Sequence, residues 1–248
     1  MKAFLLAAGR GTRISRRIAE VPKCTLPIDG QPLIRRTAEM LLERGIQPIV
    51  CVGYRRDKVY EALEALPVSY YHNPFYDVTN SIASLWFARR ALDESALVMN
   101  GDVFVSQELL DSLLSDEREV VMVSDASRTE QGDYFFSLDD SGCVVKYGKD
   151  LPLEERTAEY VGLAKIDSSF IPEFRNRLEE FINDQKHSNW WEDVLYSFAA
   201  DDRHQVATMD VSGEFWSEVD FFDDYERILQ HVNQKSDGHT RVASDSVR

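Results

Sequence analysis

The sequence is short of cysteine, of positive charge and of long apolar runs, and each shortage removes a class of protein. Cys24, Cys51 and Cys143 stand far apart and are odd in number, which suits neither a disulfide framework nor a zinc site of paired cysteines. Lys and Arg total 28 against 43 Asp and Glu, a net charge of −15. A nucleic-acid partner is therefore not expected, because a polyanion is held by a clustered basic surface. Small anions stay open, since a local basic pocket fits on an acidic protein. No stretch nears the roughly 20 apolar residues of a membrane-spanning helix, so no membrane partner is expected. The first residues run into an apolar strand pattern without the charged start and small-residue cleavage site of a secretion signal. The expected location is cytoplasmic.

What is present suits a packed globule: 44% of the 248 residues are apolar and 11% aromatic, and the length lies at the upper end of one hydrophobic core. Short apolar runs at 2–8, 48–53, 68–71, 96–99 and 120–124 predict strands. Helical patterns lie between them at 32–44, 57–66, 81–92 and 107–114. This alternation predicts an α/β fold with a mainly parallel sheet flanked by helices, whose ligands would sit at the carboxyl ends of the strands. After residue 125 the pattern changes. Hairpin-like runs at 134–138 and 143–147 surround an Asp-Asp-Ser-Gly turn, and a strand at 160–166 is followed by helices near 169–183 and 191–199. We expect a single domain over 1–235, made of a nucleotide-sized half (1–125) and a small hairpin and helical lobe (126–235), with a flexible polar tail over 236–248.

Three constellations point to chemistry. The run LAAGRGTR, Leu6 to Arg13, follows an apolar strand and precedes a basic stretch that ends in Pro22 and Lys23. Glycines there let backbone N–H groups approach phosphate oxygens, with Arg13 and Lys23 to neutralise them. A flexible strand-to-helix turn with surface arginines explains the glycines equally well. The loop lacks a Gly-Lys-Ser/Thr ending, and Ile14 stands where a dinucleotide fingerprint needs its third glycine. At Asn100-Gly101-Asp102 a strand ends in a carboxylate, a ligand suited to a hard cation with substrate phosphates, although Asn-Gly is also a turn signal. In the run from Trp216 to Asp220, strand alternation would put Trp216, Glu218 and Asp220 on one face.

LAAGRGTR, followed by VPKCTLPIDGQPLI from Val21 to Ile34, resembles the opening of the sugar-nucleotide-type nucleotidyltransferases. The resemblance implies a Rossmann-like nucleotidyltransferase sheet. It implies a nucleotide wrapped by Leu6, Ala7, Ala8, Gly9, Arg10, Gly11, Thr12 and Arg13, with Gly101 at the strand end and Arg13 and Lys23 on phosphates. It also implies Mg²⁺ held jointly by Asp102 and Asp220. Ile18-Ala19-Glu20 departs from the family's usual Pro-Leu-Thr, as loop variation. Asn73-Pro74-Phe75-Tyr76 and Thr79 to Leu85 replace a Gln-Pro-x-Gly-Leu segment and are similar to the phosphocholine cytidylyltransferase branch. That similarity places Asn80 and Ser81 near the base and makes CTP the expected donor.

On the acceptor side it points to Trp190, Trp191, Glu192, Trp216 and Glu218, because aromatic faces backed by carboxylates suit an ammonium head. Tryptophans at helical spacing also pack cores. Glu159 and Gly162 match a family acceptor segment, and Lys146 or Lys149 could meet the acceptor's phosphate. The expected activity is transfer of CMP from CTP to a small phosphorylated or phosphonate acceptor such as phosphocholine, phosphoethanolamine or an aminoalkyl phosphonate, by a monomer or homodimer. An ionised acceptor attacks without a general base, so Lys23, Arg13, Asp102 and Asp220 would carry catalysis by positioning and charge. A sugar-1-phosphate or polyol-phosphate nucleotidyltransferase is the near alternative. A non-catalytic nucleotide sensor is the distant one.

Overall fold

The first apolar run becomes strand β1 (Lys2–Ala7), at the middle of a nine-stranded sheet. The computed structural model of the chain describes residues 1–11, 21–130, 132–200 and 204–245, with 235–245 as backbone only. Strand β2 (Gln47–Val52) pairs parallel to one side of β1, β3 (Ser69–His72) pairs parallel beyond β2, and β4 (Ala96–Asn100) pairs parallel to the other side of β1. The resulting order, β3-β2-β1-β4, reverses direction of growth at β1, the point where doubly wound sheets open a crevice.

Side chains on β1, β2 and β4 are mostly buried whichever way they point, which is why these strands read as continuous apolar runs rather than alternating ones, while the edge strand β3 is largely exposed. Leu5 and Val50 meet helices α1 (Leu33–Leu42), α2 (Arg56–Ala62) and α4 (Gln107–Ser115) on one face. Phe4 and Ile49 meet α3 (Ser81–Phe87), α5 (Ile171–Asn183) and α6 (Glu192–Ala199) on the other. Helix α3 is capped by Asn80, whose Oδ1 accepts from the Ser81 N–H at 2.8 Å. Ser106 does the same for α4, accepting from the Leu109 N–H at 3.0 Å.

The second half makes the sheet mixed. Strand β5 (Val120–Asp125) and the hairpin of β6 (Phe135–Leu138) and β7 (Val144–Gly148) both join β8 (Ala158–Ile166) antiparallel. That long strand in turn pairs antiparallel with β4, with Ala164 opposite Val98. Strand β9 (Ala207–Asp210), not foreseen from the sequence, closes the far side parallel to β5. Two short antiparallel ladders complete the fold: Pro27–Ile28 with Gln31–Pro32, and Val103–Phe104 with Ser217–Glu218. The last helix, α7 (Phe222–Asp245), extends past Ser236, where the sequence suggests an aperiodic tail. Among the described residues no helix is long and apolar enough to cross a membrane. All three cysteines are free and buried.

Candidate active site

The site forms where β1 and β4 end side by side. The Gly101 N–H donates to Leu6 O at 2.9 Å, and a Cβ on Gly101 would stand 2.9 Å from that oxygen, so the backbones approach closely only with glycine there. Asp102 follows at once. Its carbonyl accepts from the Val219 N–H at 3.0 Å, and the ladder pairing Glu218 with Val103 brings the C-terminal carboxylates alongside. Asp224 accepts from the backbone N–H groups of Asp220 and Phe221 at 3.2 and 2.8 Å, tying Asp220 to the start of α7. As a result Asp102, Glu218 and Asp220 each offer an oxygen within 4.8 Å of the others.

Lys23 lies among these carboxylates, with Nζ 2.6 Å from Asp220 Oδ1 and 3.7 Å from Asp102 Oδ2. Gly11 makes room for it. At φ +58°, a Cβ there would fall within 2.5–2.9 Å of the lysine's Cγ, Cδ and Cε. Three carboxylates around one ammonium leave uncompensated negative charge, and burial together with Asp102 and Asp220 pushes the Glu218 carboxyl well above its ordinary range. Three hard oxygen donors at this spacing fit a magnesium-type cation. Glu218, expected on the acceptor, thus also belongs to the candidate metal cluster. Lys23, expected on phosphate, is ion-paired to Asp220.

A cleft of about 420 Å³ opens above this cluster. Of the expected nucleotide residues, Leu6, Ala8, Gly9, Arg10, Gly11, Lys23, Asn80 and Ser81 line it, together with Asp102 and Asp220. Ala7 and Gly101 line an adjoining recess of about 70 Å³ with Lys23. Thr12 and Arg13 lie outside the described residues. The cleft also takes in Tyr76, Thr79 and Ser84, which spacing did not single out. Its floor is tied to the second half of the chain: the Asn80 N–H donates to His187 O at 3.0 Å, and Ser81 Oγ accepts from the Trp191 N–H at 2.9 Å.

A second, smaller cavity of about 90 Å³ shares Asn100, Trp190 and Glu218 with the cleft. Its wall is aromatic and acidic: Tyr134, Tyr160, Trp190 and Tyr196 with Glu159, Glu192 and Glu218. Burial pushes the Glu192 carboxyl up to about 8. It pushes Glu159 up to about 7, against the pull of Arg128, whose Nε is 3.1 Å away. Asn100 organises the boundary, with Oδ1 accepting from Trp191 Nε1 at 3.1 Å and Nδ2 donating to Glu192 Oε1 at 3.4 Å. Gly162, at φ +92°, lines the cavity where a Cβ would stand 2.8 Å from Val103 Cγ2.

Glu159, Gly162, Trp190, Glu192 and Glu218, all expected on the acceptor, therefore line one cavity, whereas three other residues expected there lie outside it. Trp191 is fully buried in the core, lines neither cavity and touches the site through its bonds to Asn100 and Ser81. Trp216 does not share a face with Glu218 and Asp220, because the strand there is only two residues long. Its indole is buried, donates from Nε1 to Asp125 Oδ2 at 2.8 Å, and borders a separate hollow with Arg128 and Arg227. Lys146 points away on the hairpin and pairs with Glu155 at 2.8 Å. The lysine at the cavity is Lys149, which pairs with Asp133 at 2.8 Å and lies 5.0 Å from the Trp190 ring centre. The three cage tyrosines had no signal in spacing: they come from the residue before β6, from β8 and from α6, each within an ordinary apolar pattern.

A parallel crevice with a glycine loop and a carboxylate cluster at its strand ends defines a nucleotide-handling α/β enzyme class. Residues 3–197 match the MobA-like NTP transferase domain, and the chain belongs to that family. It is 25% identical to the CTP:phosphoglutamine cytidylyltransferase of Campylobacter jejuni, over 91% of this chain and 98% of that protein. It is 28% identical to the 2-aminoethylphosphonate cytidylyltransferase of Lancefieldella rimae, over 86% of this chain and 89% of that one. In fold it is similar to a solved structure of CTP:phosphocholine cytidylyltransferase from Streptococcus pneumoniae, with a TM-score of 0.75 at 20% identity, covering 93% of this chain and 98% of the other.

Proposed function

We propose that the protein is a cytidylyltransferase that moves CMP from CTP to a small acceptor bearing a phosphate or phosphonate at one end and a cationic group at the other. The observation that carries this is the adjacency of two unlike cavities. The larger joins the glycine loop to Asp102, Asp220 and Lys23, and the smaller is an aromatic and acidic cage; Asn100, Trp190 and Glu218 border both. An acceptor whose ammonium lies in the cage would present its phosphate oxygen toward the cleft. The relatives that act on phosphoglutamine and 2-aminoethylphosphonate support the same acceptor class.

In the reaction an ionised acceptor oxygen forms a bond to the α-phosphorus of CTP, and the bond from that phosphorus to the β-phosphate bridging oxygen breaks, releasing pyrophosphate. An acceptor ionised near neutral pH needs no general base, so positioning and charge supply the catalysis. The Gly9 to Gly11 backbone and Arg10 would hold phosphate oxygens, with Arg13 from the same loop. Lys23 would meet the departing charge. Asn80 and Ser81 lie at the end of the cleft proposed for the base. Asp102 and Asp220, with Glu218 beside them, would hold Mg²⁺, which when bound supplies Lewis-acid neutralisation of phosphate charge. Three buried free thiols support a cytoplasmic setting.

The test is pyrophosphate release with Mg²⁺ and each of CTP, UTP, ATP, GTP and dTTP, crossed with phosphoethanolamine, phosphocholine, 2-aminoethylphosphonate and glucose-1-phosphate. Release with CTP and an amino-bearing acceptor is expected. Release with glucose-1-phosphate alone would overturn the acceptor assignment, and silence throughout would favour a nucleotide sensor.

A further inference from the structure

Six buried side-chain oxygens or nitrogens among the described residues have no hydrogen-bond partner, and four of them belong to the wall of the small cavity: Glu159 Oε2, Tyr160 Oη, Glu192 Oε2 and Tyr196 Oη. Glu159 has Arg128 Nε at 3.1 Å, and Tyr196 stacks on Tyr134 with ring centres 5.3 Å apart. Tyr160 lays its ring against Phe136, with ring centres 5.5 Å apart, and Glu192 takes the Asn100 amide on Oε1, but the Tyr160 hydroxyl and Glu192 Oε2 meet no partner. Buried polar atoms are nearly always satisfied, and a cluster of exceptions in one cavity marks a place where a bound molecule, water or a ligand that displaces it, supplies what is missing.

The missing partner is a donor and a cation. Glu192 Oε2 can only accept once ionised, and its other oxygen already takes the Asn100 amide. Its carboxyl is held toward the neutral form by burial, a state that an incoming positive charge would reverse. Aromatic faces attract any ammonium, methylated or not. Unpartnered oxygens are selective, because a primary ammonium brings three N–H donors, whereas a trimethylammonium would lay methyl groups against them. The protein's own Lys149 shows the fit at the rim, where its primary ammonium lies against Trp190 and Asp133.

We infer that the cage reads the N–H groups of a primary ammonium, through Glu192 and the Tyr160 hydroxyl, and selects against acceptors whose nitrogen is quaternary. This rests on the cytidyl-transfer proposal above and narrows its acceptor class.

The experiment is a methylation series under CTP and Mg²⁺: phosphoethanolamine and its N-methyl, N,N-dimethyl and N,N,N-trimethyl forms. Leaving buried groups unpaired is a strong source of discrimination. We therefore expect kcat/KM to fall stepwise, by about a hundredfold from first to last, mostly through KM. Tyr160→Phe should compress that ratio at least fivefold. Equal or better use of phosphocholine overturns the inference, and so does a Tyr160→Phe variant that keeps the full ratio. If no acceptor releases pyrophosphate, the transfer proposal fails by itself, and the cage is judged by calorimetric titration with ethylammonium and tetramethylammonium. Tighter ethylammonium binding that Glu192→Gln weakens upholds the inference. Tetramethylammonium binding as tightly, or neither binding, sinks it.

Discussion

Replacing Lys23 with methionine should destabilise the protein and at the same time sharpen its response to magnesium. The lysine and Asp220 side chains are 7% and 9% exposed and 2.6 Å apart. Removing one member of a buried ion pair costs about 3–5 kcal/mol. Two features pull the value to the lower end: Asp102 is 23% exposed, and Glu218 is already pushed toward its neutral form. A loss of about 3 kcal/mol, at roughly 2–4 °C per kcal/mol for a chain of this size, lowers Tm by about 6–12 °C in chelator. Magnesium held by the folded cluster, as proposed, would stabilise it by about 2.7 kcal/mol at a hundredfold excess over Kd. In wild type the cation would have to share the carboxylates with the lysine; in the variant it would not. Differential scanning fluorimetry in EDTA and in graded MgCl₂ reads both effects. A variant that melts with wild type in EDTA, or equal magnesium shifts in the two proteins, would refute the reasoning.

Three further outcomes follow from the same geometry. Glu192 titrates near 8 in the fold against an ordinary 4.5, so between these values the folded chain holds a proton that the unfolded chain has lost. Stability should fall as pH rises through that window while acceptor affinity climbs toward pH 8, and Glu192→Gln should make both profiles shallower, leaving the part that Glu159, pushed up to about 7, contributes, measured by urea melts and acceptor KM. Gly162→Ala introduces a Cβ at φ +92° and 2.8 Å from Val103 Cγ2. It should cost about 2 kcal/mol in a urea melt and raise acceptor KM by shifting Asn100. Trp190→Ala should raise acceptor KM about fivefold, whereas Trp216→Phe and Lys146→Ala should leave it at the wild-type value; an effect of Lys146→Ala would contradict the placement of that lysine.

The parallel half was legible because its inner strands are buried on both faces and each intervening helix shows its own period. Lys2–Ala7, Gln47–Val52 and Ala96–Asn100 begin and end within a residue or so of the expected runs. Asp102 was legible for the same reason, as a carboxylate where a buried strand stops. Strand β9 was missed because its residues, Ala-Thr-Met-Asp over Ala207–Asp210, include one β-branched and no aromatic side chain to mark a strand. The error at Trp216 came from extending strand alternation over five residues where only Ser217 and Glu218 pair. The ion pair of Lys23 with Asp220 joins positions 197 residues apart, and no local pattern announces a contact of that kind. The cage tyrosines illustrate the same limit: Tyr160 belongs to a fully buried strand, where it pairs with Ser124 of β5, and nothing in that run sets it apart as a cavity residue.

The bonds from Asn80 to His187 and from Ser81 to Trp191 have a thermodynamic consequence. The loop that lines the larger cavity and the segment behind the smaller one are joined, so under the proposed function the energy of filling either cavity would depend on whether the other is filled. Such coupling is reciprocal: whatever factor the nucleotide adds to acceptor affinity, the acceptor adds to nucleotide affinity. A change of residue in that shared wall alters both affinities at once, and a shift in acceptor preference obtained there carries a shift in nucleotide binding with it.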